Sequence, residues 1–253
     1  MARTVSRSVE RAFAIIALFR ERKAPLSASQ VRHALRAPHT SVHSILREMT
    51  DLGYLHFNDS AKTYFPTVEL EFLCNWIQRA AIGSGELAQV TDGLAAQLNE
   101  TVSISRQHHI FTTVVYVKRA EHPLALQLPL GNLGAPLCQT VVGRVLLSMM
   151  PDAEIEKIVR YTNRWSRVTK AGFAFKAAEI LECAAKIRRD GYLLDLHTWM
   201  PGLAAVAAPI PNRNGIGQNL ALTVAGAVPR IQLAARKIVP AVKAAARRLT
   251  DLA

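Results

Sequence analysis

Between residues 24 and 65 the sequence is punctuated so tightly that few folds can accept it. Ala24-Pro25 ends a first helix, whose apolar residues Val9, Ala12, Phe13, Ile16 and Phe19 recur at near-helical spacing. Ser27-Ala28-Ser29-Gln30 then has the Ser-x-x-Gln form of a capping box, in which the Ser hydroxyl and the Gln amide each take an orphan backbone N–H of the first turn. Val31, Ala34 and Leu35 follow on one face before Ala37-Pro38 breaks this second helix. A third helix carries Val42, Ile45, Leu46, Met49 and Leu52 on one side, with Gly53 as its stop. Tyr54–Phe57 and Lys62–Phe65 are short strands around the turn-rich tip Asn58-Asp59-Ser60. Two short helices across a tight break, the second running into a hairpin, make a winged helix-turn-helix pattern.

Burying Val42, Ile45, Leu46 and Met49 leaves Thr40, Ser41, His43, Ser44 and Arg47 on the opposite, polar side. Such a helix can enter a DNA major groove, with N-terminal polar groups and free backbone N–H groups near phosphates and base edges. Lys62, at the hairpin tip, would lie along the backbone as part of the wing. The competing reading is an ordinary three-helix bundle with a solvated polar face.

Beyond residue 68 a helical linker through Leu70, Leu73, Ile77 and Ala80 meets Gly83-Ser84-Gly85, and a second helix spans Glu86 to Leu98. After residue 100 strands alternate with helices. Val102–Ile104 and Thr113–Val117 read as strands separated by Arg106-Gln107-His108-His109. Thr140 to Met149, a segment opened by Pro151, and Lys176 to Asp190 read as helices, the last stopped by Gly191. Tyr192–Leu196, Ala204–Ile210 and Leu220–Ala225 are strands, with Asn214-Gly215 a hairpin signal, and a final helix covers Arg230 to Leu252 with a kink expected at Pro240. The expected architecture is α+β in two domains: a winged helix-turn-helix over 1–67, a linker helix over 68–85, and an α/β domain over 86–253 with a mostly antiparallel sheet covered by helices.

Composition narrows the function classes. The net charge of +12 suggests an anionic partner, nucleic acid first, yet residues 1–80 carry only +4 of it and residues 81–253 carry +8. No apolar run approaches the ~18 residues of a membrane helix, and the N-terminus lacks signal-peptide organisation, so a cytoplasmic protein is expected. Cys74, Cys138 and Cys183 are odd in number and scattered, which argues against a disulfide framework or a CxxC metal site. For a small α/β enzyme, Cys138, His108, His109, Asp195 and His197 are the tempting groups. Nothing in their spacing unites them: Asp195-x-His197 lacks a third ligand, and Gly215-Ile216-Gly217 lacks the strand-to-helix context of a dinucleotide loop. No catalytic residue, metal or cofactor is expected.

In several places the chain resembles the IclR-type transcriptional regulators. Ser8-Val9-Glu10-Arg11-Ala12, Thr40-Ser41-Val42-His43 and Leu52-Gly53-Tyr54 fit the family's DNA-binding domain. Pro136-Leu137 with Thr140 and Gly143-Arg144, Ile187 to Tyr192 with Asp195, Gly202 with Val206–Ile210, and Val224-Ala225-Gly226 with Arg230 fit its second domain, in the right order. The resemblance implies a winged helix-turn-helix joined by a helical linker to a GAF-like effector-binding domain. It also implies operator DNA as partner, a dimer or tetramer, and a small organic-acid effector. The matching pocket positions are Val141, Val142, Asp195, Ala205, Thr223 and Ala225.

The departures from the pattern concern that pocket. The family's His and Ala in the first motif are Cys138 and Gln139, a frequent small residue is Val141, and the usual Cys and Ser are Ala205 and Ala225. Polar positions have become apolar, so the expected effector is larger and more apolar than a tiny acid: an aromatic acid whose anionic end meets the N–H groups at Val141-Val142. An effector-independent regulator that bridges DNA sites with a degenerate pocket is the alternative.

Overall fold

The computed structural model describes residues 6–73, 85–122, 125–128, 131, 133–196, 200–212 and 218–252. The chain divides into two compact units, residues 1–78 and 79–253.

The first unit holds α1 (Arg7–Arg22), β1 (Leu26–Ser27), α2 (Ala28–Leu35), α3 (His39–Asp51), β2 (Leu55–Asn58), β3 (Thr63–Pro66) and the start of α4, described over residues 69–73. The capping box forms as read: Ser27 Oγ accepts from Gln30 N at 3.3 Å, and Gln30 Oε1 accepts from Ser27 N at 2.8 Å. α3 ends in a Schellman motif, since Tyr54 N donates to Met49 O, Gly53 N donates to Thr50 O, and Gly53 takes φ +81°. That exit aims the chain into the β2–β3 hairpin. β1, which the sequence pattern did not suggest, adds a third strand beside β3.

Two apolar assignments are corrected. α1 buries Ile15, Leu18 and Phe19, while Phe13 is 69% exposed and Val9 50%. Residues 12–19 are apolar without interruption, so periodicity alone offers two stripes, and packing against Val31, Ile45 and Leu46 selects the one through Ile15. Leu52, expected on the buried face of α3, is 68% exposed because the helix ends at Asp51 and the motif turns it outward.

The second unit is a six-stranded antiparallel sheet in the order β6-β5-β4-β9-β8-β7: β4 (Thr101–His108), β5 (Phe111–Lys118), β6 (Leu133–Pro136), β7 (Leu193–Asp195), β8 (Leu203–Ile210) and β9 (Leu220–Ala227). Its helices are α5 (Glu86–Leu98), α6 (Val141–Ser148), α7 (Asp152–Thr169), α8 (Ala177–Asp190) and α9 (Val228–Leu252), the last running through Pro240. Arg106, Gln107 and His108 belong to β4 rather than to a loop, and the hairpin tip contracts to His109-Ile110. The Asn214-Gly215 signal, His197 and linker residues 74–84 lie outside the described residues.

Strand alternation gives the two sheet faces opposite characters. Val102, Ile104, Val206, Ile210, Leu222 and Val224 pack with α5 and α9 into a filled core. The other face carries Ser103, Ser105, Ala205, Ala207, Ala221, Thr223 and Ala225, toward α6, α7 and α8. Side chains this small cannot fill the space to those helices, and a cavity remains.

Candidate functional site

In the first unit, α3 presents Thr40, His43, Ser44 and Arg47 to solvent, with Ser41 half-buried. Pro38 precedes the helix and supplies no side-chain cap, so first-turn N–H groups remain for an outside acceptor. Around this face the structure adds groups that the pattern did not identify. Arg11 of α1 donates from Nη1 to Ser41 Oγ at 2.5 Å. The His39 and His43 rings stack with centroids 5.8 Å apart. Ser44 Oγ donates to Glu48 Oε1 at 2.7 Å, and Arg47 lies 4.0 Å from Asp51 with both side chains largely exposed, a weakly held pair. Lys62, in the left-handed region at φ +52°, pairs with Asp59 at 2.6 Å.

In the second unit the cavity measures about 880 Å³, and its described lining contains no charged side chain. Its floor is the small-residue sheet face. One rim is the start of α6, where Thr140 Oγ1 accepts from Gly143 N at 3.0 Å while the N–H groups of Val141 and Val142 precede the first intrahelical bonds. Gly143 is obligatory here, because a Cβ would stand 2.2 Å from Leu137 O. The lining also includes an aromatic group. Phe111 meets Trp165 edge to face at 5.1 Å between centroids, and Trp165 stacks on Phe173 at 5.9 Å. Phe173 is held there by a strap: Ser166 Oγ donates to its carbonyl at 2.6 Å, and Asn163 bonds both backbone groups of Phe175.

Of the six expected pocket positions, Val141, Val142, Ala205, Thr223 and Ala225 line this cavity together. Asp195 does not. It sits on the short strand β7, paired in register with Ala205, where its charge acts on Cys183. The aromatic wall and the hydroxyls of Ser103 and Ser105 were missed. Trp165 and Phe173 are far in sequence from every pocket motif, and only the alternation of Ser103 and Ser105 with Val102 and Ile104 carried a local signal.

Burial pushes the Cys138 thiol up against the lowering pull of its Thr162 contact and Arg144, and the half-buried Cys183 thiol is also raised by burial. Among the described residues no group of three or more His, Cys, Asp or Glu side chains is placed to hold a metal ion. None of the described helices is long and apolar enough to cross a membrane.

A winged helix-turn-helix and a separate α/β unit with an internal cavity define a DNA-binding regulator with an effector domain. The profile of the IclR helix-turn-helix domain matches residues 8–59, and that of the bacterial transcriptional regulator IclR C-terminal domain matches residues 78–251. The chain belongs to the IclR family of transcriptional regulators. It is 25% identical over 253 residues to the Pca regulon regulatory protein of Pseudomonas putida, covering 96% of this chain and 82% of that one. It is 24% identical over 212 residues to the HTH-type transcriptional regulator XynR of Escherichia coli K12, covering 82% and 81%. An IclR transcriptional regulator from Alicyclobacillus acidocaldarius shares the fold at a TM-score of 0.72, with 17% identity and coverage of 98% and 99%.

Proposed function

We propose that this regulator reads operator DNA through α3 and the wing, and that a small aromatic acid in the second-unit cavity sets its DNA affinity. The observation that carries the effector reading is that an aromatic group, Phe111, Trp165 and Phe173, and the start of α6, where Thr140 caps Gly143 N and leaves the N–H groups of Val141 and Val142 without intrahelical partners, line one cavity whose described lining holds no charged side chain. A ring gains stacking contacts from the aromatic group, and a carboxylate gains backbone N–H donors and the positive helix terminus. Val141, Val142, Ala205, Thr223 and Ala225 are the effector-binding residues in this reading; Asp195 keeps a place beside the pocket rather than in it. The name of the Pseudomonas putida relative, the Pca regulon regulatory protein, is consistent with control of a set of genes.

Thr40, Ser41, His43, Ser44, Arg47 and Lys62 are proposed to face DNA. The chain acts as a homodimer or tetramer, a reading supported by the apolar surface that Phe13 and Val9 leave uncovered on α1. Calorimetry with aromatic and aliphatic acids tests the effector class: benzoate-sized aromatic acids are expected to bind, and tight binding only of glyoxylate-sized acids would overturn it.

A further inference from the structure

The second unit gathers a row of cations on the outer face of α7. From Lys157 to Ala178 the chain carries Lys157, Arg160, Arg164, Arg167, Lys170 and Lys176 and no acidic residue. At about 3.6 residues per turn, Lys157, Arg160, Arg164 and Arg167 share one side of the helix, opposite the buried Ile155, Ile158 and Val159, and all four are exposed. Tyr161 and Val168, 61% and 74% exposed, stand among them. At the end of the row Arg167 and Lys170 line a groove of about 630 Å³ beside Gly172 and Phe173.

The stability of α7 does not account for this row. A helix dipole favours cations in the last turn, where Arg167 stands, but Arg160 and Arg164 lie mid-helix, and like charges four residues apart repel. Lys157 meets Glu154 at 2.6 Å and Arg160 meets Glu156 at 3.8 Å, both in exposed pairs that hold weakly. Arg164, Arg167 and Lys170 have no carboxylate partner among the described residues. The cations of α9 are used differently. Arg230 is committed to Glu100 at 2.7 Å, Lys243 to the Asp190 carbonyl at 2.8 Å and Lys237 to the Gln97 carbonyl at 3.4 Å. Arg236 stands about 16 Å along the axis from Arg247 and Arg248, so no continuous row remains there.

We propose that the outer face of α7 is a second DNA-contacting surface, on which Arg160, Arg164 and Arg167 hold phosphates of the duplex outside the stretch read by α3. Each guanidinium offers a phosphate two parallel N–H donors, and the Tyr161 hydroxyl adds a further one. From Lys157 to Arg167 the row is about 15 Å long, against a duplex that carries one charge per ~1.7 Å of axis. Four cations with only Tyr161 and Val168 between them lack the apolar centre of a protein interface. DNA is also the polyanion that a helix-turn-helix regulator brings to itself, so contacts made once the operator is bound benefit from a high local concentration. The proposal rests on the α3 docking above and is separable from it.

Fluorescence anisotropy on the full-length protein across salt concentrations tests it, with the footprinted DNA site in two lengths. One duplex is trimmed to the base pairs whose substitution weakens binding, and the other keeps its flanks. In the triple variant Arg160→Gln, Arg164→Gln, Arg167→Gln, the salt slope on the long duplex is expected to fall by about two to three and the affinity at least ~tenfold, with neither changed on the short one. Lysine at the same three positions keeps the charges and is expected to restore the slope, while Arg47→Ala weakens binding on both lengths and reports on α3 alone. A slope on the long duplex untouched by the glutamine variant would overturn the proposal and leave an acidic protein as the occupant of this face. Equal losses on both lengths would overturn it too, because they would report net charge rather than contacts with the flanks.

Discussion

Arg47 is the single permanent cation of α3, and its guanidinium has only an exposed, loosely held partner in Asp51. It is thus free to exchange that contact for a phosphate or a base edge. Arg47→Ala is expected to weaken operator binding by about 1–3 kcal/mol if it reads a base, or to lower the salt slope by about one if it holds a phosphate. Fluorescence anisotropy across salt concentrations separates the two, and an unchanged affinity and slope would contradict the docking. Thr223→Val makes the complementary point in the second unit. Removing an unpartnered buried hydroxyl is expected to raise the ligand-free melting temperature by about 2–4 °C, the shift that ~1 kcal/mol produces in a domain this size. A fall in melting temperature would mean that the hydroxyl has a structural partner. Tyr116 gives the molecule an alkaline limit: burial first, then its hydrogen bond to Asp92 at 2.8 Å, pushes its phenol up to about 12. Because the folded value lies above the unfolded one near 10, its stabilisation is complete below pH 10 and is lost as pH rises through about 12. Tyr116→Phe is expected to flatten that part of the melting-temperature profile.

Elements differ in how much of them could be read from sequence, and locality decides it. The Ser27 capping box, the Gly53 and Gly191 stops and the buried face of α3 from Val42 to Met49 involve residues within one or two turns of each other, and each forms as its pattern says, Leu52 beyond the helix end excepted. α1 did not, because its unbroken apolar run fits two stripes and only distant residues choose between them. Five cavity positions were legible through the family pattern, whereas Trp165 looked like any apolar residue of an amphipathic helix. Its role depends on the 163–175 strap and on Phe111 of β5. Two element-scale outcomes follow. Gly143→Ala forces α6 off Leu137 and is expected to destabilise the second unit by about 1–3 kcal/mol, with loss of ligand binding. Ser166→Ala releases one tie of the strap, and stopped-flow measurements are expected to show faster ligand dissociation with little change in melting temperature.

At the scale of the molecule, a DNA-reading unit and a cavity-bearing unit share one chain, and linkage governs how one speaks to the other. A ligand alters DNA affinity only to the extent that it binds the DNA-competent and incompetent states differently, and the factor is the same in both directions. The surplus of positive charge, +12 overall, adds long-range attraction to DNA that salt will screen, so this comparison belongs at fixed ionic strength. The decisive measurement takes the DNA site recovered by genomic footprinting and determines operator affinity with and without a bound aromatic acid, then acid affinity with and without operator. A shift of about 5–150-fold is expected, equal in the two directions and abolished in Trp165→Ala. Operator affinity indifferent to every bound acid would contradict it and leave a regulator that bridges DNA without an effector.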